Sequence, residues 1–205
     1  MKSFACLAGL LLAGPVFATT YTLEPNYTQV VFNWDHLGYS FPTAQIARAT
    51  GALEFDAMNP TQAKVMVTLP LAMLVSGVPD LDERLKSEDF FDVSKYPEAM
   101  FTSTKVEKGM GAERLRVAGN LTMHGVTKPL TLDVQILKVG SNARTGIATV
   151  GFNATATLKR SDFGLGAFVP QVGDEIVLTI TTQGAEAKAY AAYLKSKEEK
   201  SNEKK

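Results

Sequence analysis

Cysteine is almost missing from this chain: Cys6 is the one thiol in 205 residues. It lies in the apolar run from Phe4 to Leu12, which follows the basic start Met1-Lys2-Ser3 and precedes Gly14-Pro15-Val16-Phe17-Ala18. That order reads as a secretory signal peptide over residues 1–18, cut after Ala18, and the run is too short to span a bilayer. The exported chain is then expected to hold neither a disulfide nor a thiol nucleophile. Histidine is scarce too, with His36 and His124 far apart and no clustered ligand spacing, so neither a metal nor a haem site is expected. No Gly-x-Ser-x-Gly turn is present, which leaves a hydrolase without its usual nucleophile signature. Net charge is zero, with 21 basic against 21 acidic residues, which argues against a nucleic-acid binder. No second apolar segment is long enough for a membrane span.

What the chain does have is strand signal. Residues 29–37 alternate, with Val30, Phe32, Trp34 and His36 on one face. Residues 45–55, 63–69, 98–107, 113–123, 130–139, 146–159 and 175–182 complete a set of about eight or nine strands. The segments 45–55 and 146–160 look long enough to bend, with Gly51 and Gly151 placed for bends or bulges. Met58-Asn59-Pro60, Gly109–Ala112 and Gly140–Ala143 read as turns. Strands at this spacing predict an all-β sandwich or up-and-down barrel, about 165 residues being ample for one core. One internal helix is predicted over 80–88, and in an all-β chain such a break reads as a lid over an opening, here from Leu74 to Phe91. After Gly184, residues 185–194 are helix-prone and 195–205 are a solvated run of lysine and glutamate. That tail is either a fraying helix or a transient contact with anionic lipid.

Seven further segments stand in register. They are His36-Leu37-Gly38-Tyr39-Ser40, Gly51-Ala52-Leu53-Glu54-Phe55-Asp56, and Arg84-Leu85-Lys86-Ser87-Glu88-Asp89-Phe90-Phe91-Asp92. Then come Tyr96-Pro97 with Phe101, Gly119-Asn120-Leu121-Thr122-Met123-His124-Gly125-Val126-Thr127-Lys128-Pro129, Lys159-Arg160-Ser161-Asp162-Phe163-Gly164 and Val172-Gly173-Asp174-Glu175-Ile176. Together they resemble the YceI-like family of exported polyisoprenoid-binding proteins, over nearly all of residues 19–184. The resemblance implies a single extended lipocalin-like antiparallel β-barrel with the short helix over its mouth. It also implies a periplasmic or secreted setting and a bound long-chain isoprenoid lipid, such as a polyprenyl quinone or prenyl phosphate. No cofactor beyond that ligand is expected, and a homodimer is left open.

The expected ligand-binding residues are Phe32, Trp34, His36, Ile46, Leu53, Phe55, Leu74, Phe90, Phe91, Phe101, Leu121 and Arg160, with Ile136, Phe152 and Leu178 as further interior positions. Each has a plainer reading. The aromatic and aliphatic residues are also what a packed core needs. His36 is either a headgroup partner or a core histidine paired with backbone or Ser40. His124 reads as a turn residue. Arg84 is expected to pair with Asp80 and Glu88 four residues away, and Arg160 to pair with Asp162 or reach a phosphate. A protein-docking module with a solid core is the rival to the carrier.

Overall fold

Alternation along the chain decides which side of each strand faces inward. From Arg114 to Met123 the side chains of Leu115, Val117, Leu121 and Met123 are buried, while Arg114, Arg116 and Asn120 are exposed. The computed structural model describes residues 18–203, so the signal-peptide assignment lies, but for Ala18, outside the described residues. In chain order the strands are β1 (Thr19–Leu23), β2 (Gln29–Asn33), β3 (Thr43–Ala47), β4 (Thr50–Phe55), β5 (Lys64–Pro70) and β6 (Leu74–Val75). They continue as β7 (Glu98–Lys108), β8 (Arg114–Met123), β9 (Val126–Ser141), β10 (Ala148–Lys159) and β11 (Glu175–Glu186). Helix α1 (Pro79–Lys86) interrupts them and α2 (Ala187–Asn202) follows.

Eight strands close a ring in the order β1-β4-β5-β7-β8-β9-β10-β11, with every pairing antiparallel and β11 returning to β1. The long edge of β11 is shared: residues 184–186 pair with β1 and residues 177–181 with β2, from which β3 and β6 extend. β10 turns Phe152, Ala154 and Ala156 inward and Asn153, Thr155 and Thr157 outward. An apolar interior with a polar outer wall is the reverse of a membrane-spanning barrel. No helix among the described residues is long and apolar enough to cross a membrane.

Several boundaries differ from the sequence reading. The segment 45–55 is not one bent strand, because Arg48 takes a left-handed φ of 60° and the chain changes neighbours there. β3 pairs with β2, and β4 pairs with β1 and β5. The strand from 29 stops at Asn33, where Leu37 and Gly38 turn with positive φ and the Asp35 carboxylate accepts the Gly38 N–H at 2.6 Å. β9 runs through Gly140 and Ser141, so the turn sits at 142–147, closed by Asn142 N–H to the Ile147 carbonyl at 2.8 Å. β1 and β6 lie outside the strands expected from sequence; β6 is two residues long, and its pairing with β3 makes Leu74 part of the wall and not of a lid. The Gly151 bulge is present, between Gly151 and Phe152. At Gly119 an added Cβ would overlap the Phe101 ring, so glycine lets β7 and β8 bring that ring inward.

β11 continues past Gly184 to Glu186, pairing with β1, and the helix then begins at Ala187. Glu186 caps it, its carboxylate accepting the N–H groups of Lys188 and Ala189 at 3.2 and 2.7 Å. Tyr190 packs with Ile147 and Ala185 against the barrel, and the helix runs on to Asn202 through the stretch read as a solvated tail.

Beside this helix, Oε1 of Glu24 is buried with no hydrogen-bond partner among the described residues. Burial raises its carboxyl above the ordinary value, and the Arg144 charge only partly counters this. A raised folded pKa means stability is present below the unfolded value and lost as pH rises through the folded one. Glu24→Gln is therefore expected to raise Tm at pH 7 and leave it unchanged at pH 4. Because much of the side chain is solvated, the gain should stay below about 1 kcal/mol. Thermal melts at the two pH values test this; a lower Tm at pH 7 would contradict it.

Candidate functional site: a cavity inside the barrel

The inward residues do not fill the ring. They leave a cavity of about 600 Å³, within the range of about 300–1,000 Å³ usual for ligand pockets. Eleven of the twelve residues expected from sequence line it: Phe32, Trp34, His36, Ile46, Leu53, Phe55, Phe90, Phe91, Phe101, Leu121 and Arg160. Leu74 does not; it is fully buried in the core beside Ile46. Phe152 and Leu178 line the cavity as well, whereas Ile136 is buried outside it.

Aromatic rings organise the wall. Phe32 lies 5.9 Å from Trp34 and 6.1 Å edge-on from Phe91, and Phe55 meets Phe152 edge-on at 5.5 Å. These are favourable ring geometries that also fix the rotamers facing the void. Helix α1 turns Leu81 and Leu85, one turn apart, toward it. The helix starts with Pro79 in its first turn, carries Asp80 and Asp82 there and ends on Arg84 and Lys86. Asp82 accepts both the N–H and the hydroxyl of Ser76 at 2.5 Å, fastening the chain that leads into it.

Polar groups occupy the two ends. At one, the hydroxyls of Thr28 and Thr182 satisfy each other at 2.9 Å. At the other, the mouth, stand His36, Arg84, Arg160 and Gln171. No aspartate, glutamate or lysine lines the cavity among the described residues.

Arg160 is 6 % exposed. Its Nε–H donates to the Gly173 carbonyl at 2.9 Å, Nη2 to the Val172 carbonyl at 2.9 Å and Nη1 to the Leu165 carbonyl. The guanidinium thus fastens both ends of the loop between β10 and β11. Burial pushes its pKa below the ordinary value, while Asp174 pulls the other way. The expected partner Asp162 is not the one used. Backbone carbonyls take that place, and Asp174 acts only through its nearby charge, its carboxylate receiving the Ser161 N–H at 2.9 Å and hydroxyl at 2.8 Å. Burial works to raise the Asp174 carboxyl, and these bonds with the Arg160 and Lys159 charges outweigh it, leaving it below the carboxylate range.

His36 stands exposed at the rim, its backbone bridging Ser40 and Val172. Its backbone N–H donates to the Ser40 carbonyl at 2.9 Å, the pairing expected of a structural histidine, but the side chain is exposed and not in the core. His124 is a turn residue, with φ 51° followed by Gly125 at 74°, a two-residue hairpin between β8 and β9. It braces the mouth from outside, Nδ1 lying 3.1 Å from the Phe163 carbonyl and the ring 4.7 Å from Tyr96.

Arg84 departs from its expected role. Among the described residues it forms no ion pair, and its guanidinium lies 4.9 Å over Phe168 and 6.0 Å over Phe90. Phe168, Leu37 and Gln171 also line the mouth, beyond the positions expected from sequence. They sit in irregular loops, where no periodicity marks an inward side.

A family model described as YceI-like domain matches residues 21–184. A UPF0312 protein of Pseudomonas syringae pv. tomato is 38% identical over 192 residues, 91% of this chain and 98% of its own length. A mutant of the Campylobacter jejuni YceI protein superposes with a TM-score of 0.67 at 28% identity, covering 75% of this chain and 90% of that one. A polyisoprenoid binding domain from Saccharophagus degradans, implicated in plant cell wall breakdown, shares the fold at 14% identity and a TM-score of 0.62, covering 84% of this chain and 100% of that one.

Proposed function

The chain belongs to the YceI-like family over residues 21–184, and from that premise we propose that it is a periplasmic, non-enzymatic carrier holding one long-chain isoprenoid amphiphile inside its barrel. The observation that carries this is the apolar cavity of about 600 Å³, polar only at its two ends. Such a space fits a long hydrocarbon tail with its headgroup, a quinone ring or a phosphate, at the mouth beside His36, Arg84 and Gln171. The fold shared with a polyisoprenoid binding domain supports the same reading.

Chain length should dominate affinity. Burying a five-carbon unit gains roughly 3–4 kcal/mol at about 0.8 kcal/mol per methylene. Immobilising the ligand costs about 4–15 kcal/mol before its tail is ordered. One or two units barely offset that, whereas a long chain reaches micromolar binding on burial alone. Trp34 is the single tryptophan, lines the cavity and is buried, so its emission reports occupancy. Titration with quinones of increasing prenyl length should lower Kd by about tenfold or more per added unit, then level off when the cavity is full. Affinities that ignore tail length would overturn the proposal.

A further inference from the structure

Loops joining strands are normally polar, since they run in water. Two loops at the mouth break that pattern. In the first loop and strand β3 after it, between Asp35 and Arg48, no residue is Lys, Arg, Asp or Glu, and none is between Asp162 and Asp174, in a chain where 20% of residues are charged. The two loops are one surface. His36 bridges Val172, the Leu37 N–H donates to the Gln171 carbonyl at 3.2 Å, and the Gly173 N–H donates to the Asp35 carbonyl at 2.8 Å.

That surface displays large apolar side chains outward: Tyr39 is 89 % exposed, Phe41 70 %, Phe168 52 % and Leu37 50 %. Exposed apolar residues elsewhere, such as Met58 and Met110, sit in turns beside charged residues (Asp56; Lys108 and Glu113) and need no partner. Leu37 and Phe168 belong to both the outer rim and the cavity lining, so the patch continues into the binding site. Arg84 lies over Phe168 at 4.9 Å, placing a cation at the edge of this patch.

The geometry points to the mouth rim as a membrane-docking surface: Tyr39 and Phe41, with Leu37 and Phe168, seat in the interfacial layer of a phospholipid bilayer and turn the cavity opening toward it. Tyrosine on an uncharged hairpin matches the aromatic belt at membrane interfaces, and phenylalanine and leucine are side chains that interfacial segments bury. The occupant is a lipid surface because the rim is continuous with an apolar cavity. A tail passing from bilayer to barrel through that rim never has to enter water, whereas a rim held away from the bilayer would expose every methylene in transit. The inference rests on the carrier reading for its purpose, not for its test.

The test is co-sedimentation of the full mature protein with vesicles of phosphatidylethanolamine and phosphatidylglycerol, comparing wild type with Tyr39→Ser/Phe41→Ser. Neither residue lines the cavity. The double variant should lower the vesicle-bound fraction about fivefold, leave Tm unchanged, and retain prenyl quinone delivered from ethanol as well as wild type does. Wild-type binding should persist in about 0.5 M salt, where screening removes attraction between the lysine-bearing C-terminal helix and anionic lipid. Equal sedimentation of the two proteins, or binding abolished by salt, would overturn the proposal. So would a wild type that ignores vesicles but self-associates through Phe41, which would make the rim a protein interface. Rim-dependent vesicle binding by a protein that takes up no quinone by either route would leave the docking surface standing and the carrier reading refuted.

Discussion

Arg160→Met is expected to lower stability by about 2–4 kcal/mol in urea denaturation, the largest effect of any single replacement at the mouth. The side chain removes nothing from the cavity wall that methionine cannot replace in bulk. What it removes are the donors to the Leu165, Val172 and Gly173 carbonyls. A buried acceptor left unsatisfied costs about 1–3 kcal/mol, and water reaching the loosened loop recovers part of that for three of them. Hydrogen exchange should accelerate over residues 163–173 and not in β8 or β9. Arg160→Lys should rescue little, because an ammonium cannot present the planar fork that meets three carbonyls at once. Acid should weaken the same loop. The Asp174 carboxyl is held below its ordinary range, so its contribution is present above the unfolded pKa and lost as pH falls through the lower folded value. A lysine variant as stable as wild type would show that charge alone, and not the carbonyl fork, holds the mouth.

Ala154→Trp is expected to abolish ligand uptake while leaving the barrel folded. Ala154 is buried on β10, paired with Val134 and Ile180, and faces the cavity. An indole there enters the void and not a packed core, so the usual overpacking penalty of about 1–3 kcal/mol should be largely avoided. Lipid bound per protein, measured by mass, should fall from one toward zero with Tm within a few degrees of wild type. A conservative Ala154→Val change keeps most of the space and serves as the control. Full occupancy in the tryptophan variant would place the ligand somewhere other than this cavity.

The strands were legible because period-2 alternation is written directly into β2, β5, β8 and β10. The resemblance supplied the closed barrel, which alternation alone left as a barrel or a sandwich. Eleven of the cavity-lining residues could be named because alternation and the paired aromatics Phe90 and Phe91 marked interior positions, which the resemblance alone turned into candidates for ligand contact. Leu74 was misplaced because a two-residue strand carries no period, so its side could not be read. The break at Arg48 was invisible for a similar reason: nothing in Ala47-Arg48-Ala49 announces a left-handed residue, and tertiary pairing imposes it. Arg84 was assigned to helical ion pairs by spacing, yet it reaches Phe168, about eighty residues away in sequence, across the mouth. Loop residues such as Leu37, Phe168 and Gln171 acquire their inward position from the backbone bridges between two loops, which no local pattern encodes.

The most direct measurement is native mass spectrometry of the mature protein, followed by organic extraction of whatever dissociates. One long-chain isoprenoid per barrel, lost in Ala154→Trp, is the result expected of a carrier whose cavity is the binding site. A protein that arrives empty and also refuses added long-chain quinones and prenyl phosphates would contradict it.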